Sequence, residues 1–187
     1  MHAFESLIGS LLERAGYWVR ASVKVALTKE EKRAIGRPSA PRWEIDLVGY
    51  LPTRNEVLLL ECKSYLDSEG VRIEDLASAD STYSDRYKLF TDPRLLPVVG
   101  SRLVKQLLAE GGCLPNPTIV LGLAAGRIAD ATDRGALARL FTERGWVLWT
   151  PERIVDELRA LAQDGYDNSV ASMVAKMLLR PNGTKTV

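Results

Sequence analysis

Four consecutive apolar residues, Val57-Leu58-Leu59-Leu60, run straight into Glu61-Cys62-Lys63, and no other feature of the chain restricts its fold as much. A strand sends alternate side chains to opposite faces, so an unbroken apolar run needs cover on both sides. The run therefore reads as the end of a central strand, Glu56 to Lys63. Trp43 to Tyr50 reads as the strand before it, and Leu51-Pro52-Thr53-Arg54-Asn55 as the turn between them. A hairpin centred between Thr53 and Arg54 sets Asp46 opposite Glu61 and Glu44 opposite Lys63. All four side chains then leave the same face of the sheet.

Two carboxylates directly opposite each other are destabilising. Their placement at the end of a hydrophobic strand predicts a cation between them. Its chemical class follows from what the chain lacks. The only histidine is His2, and the two cysteines, Cys62 and Cys113, form no ligand spacing. Histidine-dependent nucleases, Ser-His-Asp triads and zinc centres are thereby excluded, and oxygen donors select magnesium, manganese or calcium. No glycine-rich phosphate loop is present.

Charge is unevenly spread although the formal net charge is only +1. Arg20, Lys24, Lys29, Lys32, Arg33, Arg37 and Arg42 face only Glu30 and Glu31 in one segment, whereas residues 67–92 are mainly acidic. A basic arm beside a carboxylate site suits a polyanionic substrate, and a solvated loop is the plainer reading. The cysteines read as reduced and the protein as cytoplasmic, with no span expected to enter a membrane.

Periodicity predicts a helix over Phe4–Ala15, a strand over Tyr17–Leu27 and a charged loop over residues 28–42. After the hairpin comes an acidic stretch without periodicity. A helix is expected at Val98–Glu110, a strand at Thr118–Ala124, a helix at Asp133–Arg144 and a short strand at Trp146–Trp149. Two further helices, to Ala162 and over Ser169–Arg180, complete the chain. In the hairpin's first strand Trp43, Ile45 and Leu47 should share one face, and Glu44, Asp46 and Val48 the other.

Asp46, then Glu61-x-Lys63 ending the next strand, after a helix bearing Glu5, resembles the PD-(D/E)XK phosphodiesterase superfamily, in particular its Holliday-junction-resolvase and Mrr-like branches. The resemblance covers roughly residues 4–125, with Ile45 where the motif has proline. It implies an α/β fold with a restriction-endonuclease-like core: helix, three-stranded antiparallel meander, helix and strand, in a mixed central sheet with C-terminal helices. Residues 1–150 would form the nuclease-like domain and 151–187 a helical extension packed on it.

By that resemblance the chain is a magnesium-dependent endonuclease acting on DNA, with manganese able to substitute. Asp46 and Glu61 would be the metal ligands, with the Cys62 backbone carbonyl a third, and Lys63 the catalytic cation. Glu5 admits two readings, a fourth catalytic residue or an ordinary helix-margin charge. Lys32, Arg33, Arg37, Arg102 and Lys105 are candidate DNA contacts, and Arg102, Lys105 and Gln106 also read as an exposed helix face. A homodimer is expected, its candidate interface the stripes Ile154/Leu158/Leu161 and Val170/Val174/Met177. The rival is a catalytically inactive nucleic-acid-binding or scaffolding module of the same fold.

Overall fold

The computed structural model describes residues 3–39, 43–77, 81 and 83–180. The hairpin organises it. β2 (Trp43–Leu51) and β3 (Glu56–Lys63) pair antiparallel from Leu51↔Glu56 to Leu47↔Leu60, so the register is centred between Thr53 and Arg54 as expected. The turn is a short 3-10 segment, Pro52–Arg54, closed by Asn55 in the left-handed conformation, φ 45°. Its side chain holds the turn to the next crossover, donating to the Pro115 carbonyl and accepting from the Tyr50 hydroxyl.

Around this hairpin the sheet has five strands in chain order. β1 (Trp18–Val25) joins β2 antiparallel; β4 (Thr118–Ala125) and β5 (Val147–Trp149) join the far side of β3 in parallel. The fold is α/β with a mixed sheet. β3 and β4, both interior, are apolar on both faces, as strands covered by helices must be.

One apolar layer places Leu58, Leu60 and Trp149 against α1 (Ala3–Arg14) and α7 (Pro151–Gln163), through Ile8, Leu11, Ile154 and Leu161. α8 (Val170–Leu179) joins that layer by Ala175. The opposite layer places Val57, Leu59, Leu121 and Leu123 against α5 (Leu95–Ala109) and α6 (Ala131–Arg144), through Val99, Leu103, Leu137 and Phe141. Two packed layers of helix on one sheet cover the apolar runs of β3 and β4 on both faces.

Two segments differ from expectation. Residues 28–42 hold a helix, α2 (Lys29–Ala34). It starts at a reciprocal cap: Glu31 N–H donates to Thr28 Oγ1, and Thr28 N–H donates to the Glu31 carboxylate. Thr28-x-x-Glu31 is the sequence signal for that cap, and it lies inside the stretch expected as a loop. The acidic stretch contains α3 (Glu74–Ala77), a 3-10 turn at Ser84–Tyr87, and α4 (Lys88–Thr91). These elements are too short to show periodicity, and Leu76, Tyr87, Leu89 and Phe90 are buried by contacts from elsewhere in the chain. Pro41, Arg42 and Asp80 lie outside the described residues, as does His2.

Candidate active site at the open end of the hairpin

The alternation expected of β2 fails at Asp46, and the failure builds the site. Ile45 and Leu47, two residues apart, pack in opposite layers, and Ile45 shares its layer with Val48. The adjacent strand does the same. Val19 and Ala21 join one layer while Val23 and Val25 join the other. Between them stands Ser22 in the left-handed region, φ 52°. β1–β2 pairing resumes with unchanged register on either side of Ser22 and Asp46, from Ala21↔Leu47 to Val23↔Ile45. Both strands therefore turn over together at one step, a local distortion of the kind that re-aims a side chain.

Turned this way, the Asp46 carboxylate meets β3 edge-on. Its Oδ2 accepts the Cys62 backbone N–H at 2.7 Å, and the regular β2–β3 ladder ends one step earlier, at Leu47↔Leu60. A side chain has taken the place of a backbone acceptor. The N–H and C=O of a strand residue leave on the same side, so the Cys62 carbonyl also faces the Asp46 gap. Asp46 thus meets β3 through a backbone amide and does not stand as a simple cross-strand partner of Glu61. Glu44 is also corrected. It lies opposite Lys24 of β1, because β2 has parted from β3 before Lys63 is reached.

Glu61 and Lys63 leave β3 on the same face. Lys63 Nζ donates to Glu61 Oε2 at 3.0 Å, lies 3.9 Å from Asp46 Oδ2, and stands 6.0 Å from the centre of the Tyr87 ring. Burial raises the Glu61 carboxyl above its ordinary value; Lys63 opposes that rise, and Asp46 and Glu5 add to it. Burial also pulls the Lys63 ammonium down, but Glu61 and Asp46 outweigh it and hold it above its usual range. Lys63 is therefore a fixed cation at neutral pH. The Cys62 thiol is pushed up by burial and by the surrounding carboxylates, which removes it as a nucleophile.

Glu5 arrives from the other layer. It is buried on α1, near enough to raise both Glu61 and Cys62. α1 carries it there because Ile8, Leu11 and Leu12 pack the helix onto the sheet. β4 fixes the opposite flank. Gly126 N–H donates to the Lys63 carbonyl at 2.9 Å, and a Cβ on Gly126 would stand 2.4 Å from the Ser64 carbonyl oxygen. Only glycine permits so close an approach. Tyr87, Ser22 and Gly126 support the site without a local sequence signal, since each is distant from Lys63 along the chain.

The structure gathers Asp46, Glu61 and Lys63, with Glu5 beside them, and leaves the basic candidates elsewhere. Arg102 donates to both oxygens of Glu31 at 2.8–3.0 Å, pinning α2 to α5. Gln106 clamps the end of β1, accepting from Ala26 N–H and donating to the Lys24 carbonyl. Arg37 lies over the Trp43 ring at 5.9 Å and acts electrostatically on Asp85 and Asp92, so the basic arm and the acidic stretch are neighbours. Arg33 and Lys105 are exposed and Lys32 half-buried.

Among the described residues, no three Asp, Glu, His or Cys side chains converge closely enough to hold a metal ion as they stand. The donor chemistry is nonetheless of the kind that suits a hard divalent cation: two carboxylates, Asp46 and Glu61, share one ammonium, and Glu5 acts on Glu61 from α1. No described helix is long and apolar enough to cross a membrane. Compared with protein-family models, curated proteins and solved structures, the chain matches none.

Proposed function

We propose that this chain is a divalent-cation-dependent endonuclease with a restriction-endonuclease-like core, hydrolysing phosphodiester bonds of DNA in the cytoplasm. One observation carries the reading: the strand distortion at Ser22 and Asp46 brings a carboxylate against the Cys62 amide, where Glu61 and Lys63 already stand. A mere surface salt bridge needs no such rearrangement. Asp46, Glu61 and the Cys62 carbonyl would hold magnesium, or manganese in its place, and Glu5 would add negative charge from α1. Bound there, the cation supplies Lewis-acid charge and lowers the pKa of a water.

The chain's own groups do the rest. Glu61 and Asp46 keep Lys63 charged, so its ammonium is a donor for a scissile phosphate oxygen and not a base. With Glu61 engaged in holding the cation, the Lys63 ammonium would be free to donate to a substrate oxygen. Lys32, Arg33, Arg37 and Lys105 are the proposed phosphate contacts, and Arg102 serves by holding α2. The free thiols of half-buried Cys62 and buried Cys113 suit a reducing compartment.

A second reading, an inactive nucleic-acid-binding module, draws on the same Lys63–Glu61 contact taken as a permanent ion pair. The test is cleavage of supercoiled, linear, single-stranded and branched DNA with magnesium, manganese or chelator. The nuclease reading expects cutting that requires metal and is lost in Lys63→Ala and Glu61→Gln while DNA binding persists. Binding without cutting of any substrate by the wild type would establish the inactive module.

A further inference from the structure

α7 and α8 both carry an apolar stripe but dispose of it differently. On α7, Ile154 and Leu161 are buried against α1 and the sheet. α8 docks by its alanines, Ala171 and Ala175, and leaves its large residues outside: Val170, Met177 and Leu178 are 72%, 78% and 77% exposed. Beside them lies an apolar groove of about 610 Å³. Its walls are α1 (Leu7), α7 (Val155, Leu158) and α8 (Val170, Val174, Leu178). It lies on the sheet face opposite Tyr87, away from the Lys63–Glu61 pair.

We infer that this surface is a self-association interface, and that its occupant is a second copy of α8. Area is the first argument. The exposed parts of Val170, Met173, Val174, Met177, Leu178 and Leu179 amount to on the order of 600 Å², at the limit of what monomers carry and near the roughly 800 Å² each partner gives a stable interface. Shape is the second. The same helix supplies a groove wall (Val170, Val174, Leu178) and an adjoining ridge (Met173, Met177), so one copy offers both halves of the fit. An isologous contact requires such self-complementarity. Charge is the third. The groove walls carry no charged side chain, and the one cation within α8, Lys176, is turned onto the Gly165 carbonyl at 2.5 Å. An uncharged partner surface is required, and the chain itself presents one.

Two α8 helices packed antiparallel about an axis near Val174 set Val170 of one copy beside Leu178 of the other. α1 is shared by the groove and the active site, Leu7 lining the first and Glu5 entering the second. The inference does not depend on nuclease activity. Sedimentation velocity of the full chain should give a particle of twice the 20.7 kDa chain mass. Val174→Glu with Met177→Glu should give the single mass with an unchanged circular dichroism spectrum. Val174→Cys should form a disulfide-linked dimer under mild oxidation that the wild type does not form. A wild type that stays monomeric at high micromolar concentration overturns the inference, as does a dimer indifferent to the two glutamates. A monomer that co-sediments with anionic phospholipid vesicles also overturns it, in favour of a lipid surface.

Discussion

The two ends of the β2–β3 hairpin are built from the same two strands and obey different rules. Toward the turn, five residue pairs from Leu51↔Glu56 to Leu47↔Leu60 follow the apolar pattern. A slip of one residue would move Leu58 and Leu60 out of one layer and Val57 and Leu59 out of the other. At the open end the ladder stops, a left-handed serine and an inverted aspartate replace it, and a carboxylate accepts the amide that a backbone carbonyl would have taken. Regular pairing was within reach at both ends. The difference teaches that burial sets register, and that departure from it is confined to the polar end, where a side-chain carboxylate replaces the missing backbone acceptor.

If that contrast is right, substitutions at the two ends should fail differently. The largest effect belongs to the turn end: Leu60→Ala removes a fully buried side chain between Leu58 and α1 and should cost about 2–5 kcal/mol in chemical denaturation. A cost below 1 kcal/mol would show that this end is not the anchor.

At the open end, Asp46→Ala orphans the Cys62 amide and should cost about 1–3 kcal/mol, whereas Asp46→Asn keeps an oxygen acceptor and should be close to neutral in chelator. Equal losses from the two variants would mean that Asp46 acts through its charge and not through the hydrogen bond. Any stabilisation of wild type by magnesium or manganese should vanish in both variants, because a ligand stabilises only the fold that binds it.

Glu61 gives the contrast a pH signature. Burial raises its folded-state proton affinity above the unfolded chain's, so the folded protein keeps a proton that the unfolded chain has lost. This contribution is complete below the ordinary value of 4.5 and disappears as pH rises through the elevated one. In urea melts with chelator, Glu61→Gln should gain on the wild type across that window and level off above it. A wild type that gains instead would show that the Lys63 ammonium outweighs the burial of Glu61.

The smallest effect concerns the strand distortion. Ser22→Gly relieves a left-handed φ of 52° and should stabilise by about 0.5–1 kcal/mol without altering cleavage. A loss of cleavage at unchanged stability would instead make the Ser22 side chain part of the site.

The central strand, the hairpin register, the order of the strands and longer helices, and the grouping of Asp46, Glu61 and Lys63 were legible because each rests on short-range periodicity or on one turn. Glu5 was legible as a helix residue and ambiguous as a site residue; its burial became visible only when α1 was seen packed on the sheet. The face on which Ile45 lies was misread, because alternation assumes regular backbone and the inversion at Asp46 depends on the neighbouring strand. Glu44 was misassigned for the same reason. Arg102 and Gln106 looked free on a helix wheel, yet their partners, Glu31 and the end of β1, lie more than seventy residues away in sequence.

The sequence by itself thus determined the five strands, the five longer helices and how the hairpin aligns, since periods of 2.0 and 3.6 residues are local properties of the chain. Tertiary structure alone decided where the ladder breaks, which cations are already paired, that Gly126 must lack a Cβ, and that α7 is buried while α8 is left bare. Those outcomes depend on which surfaces meet after folding, and long-range contact leaves no periodic trace in either partner.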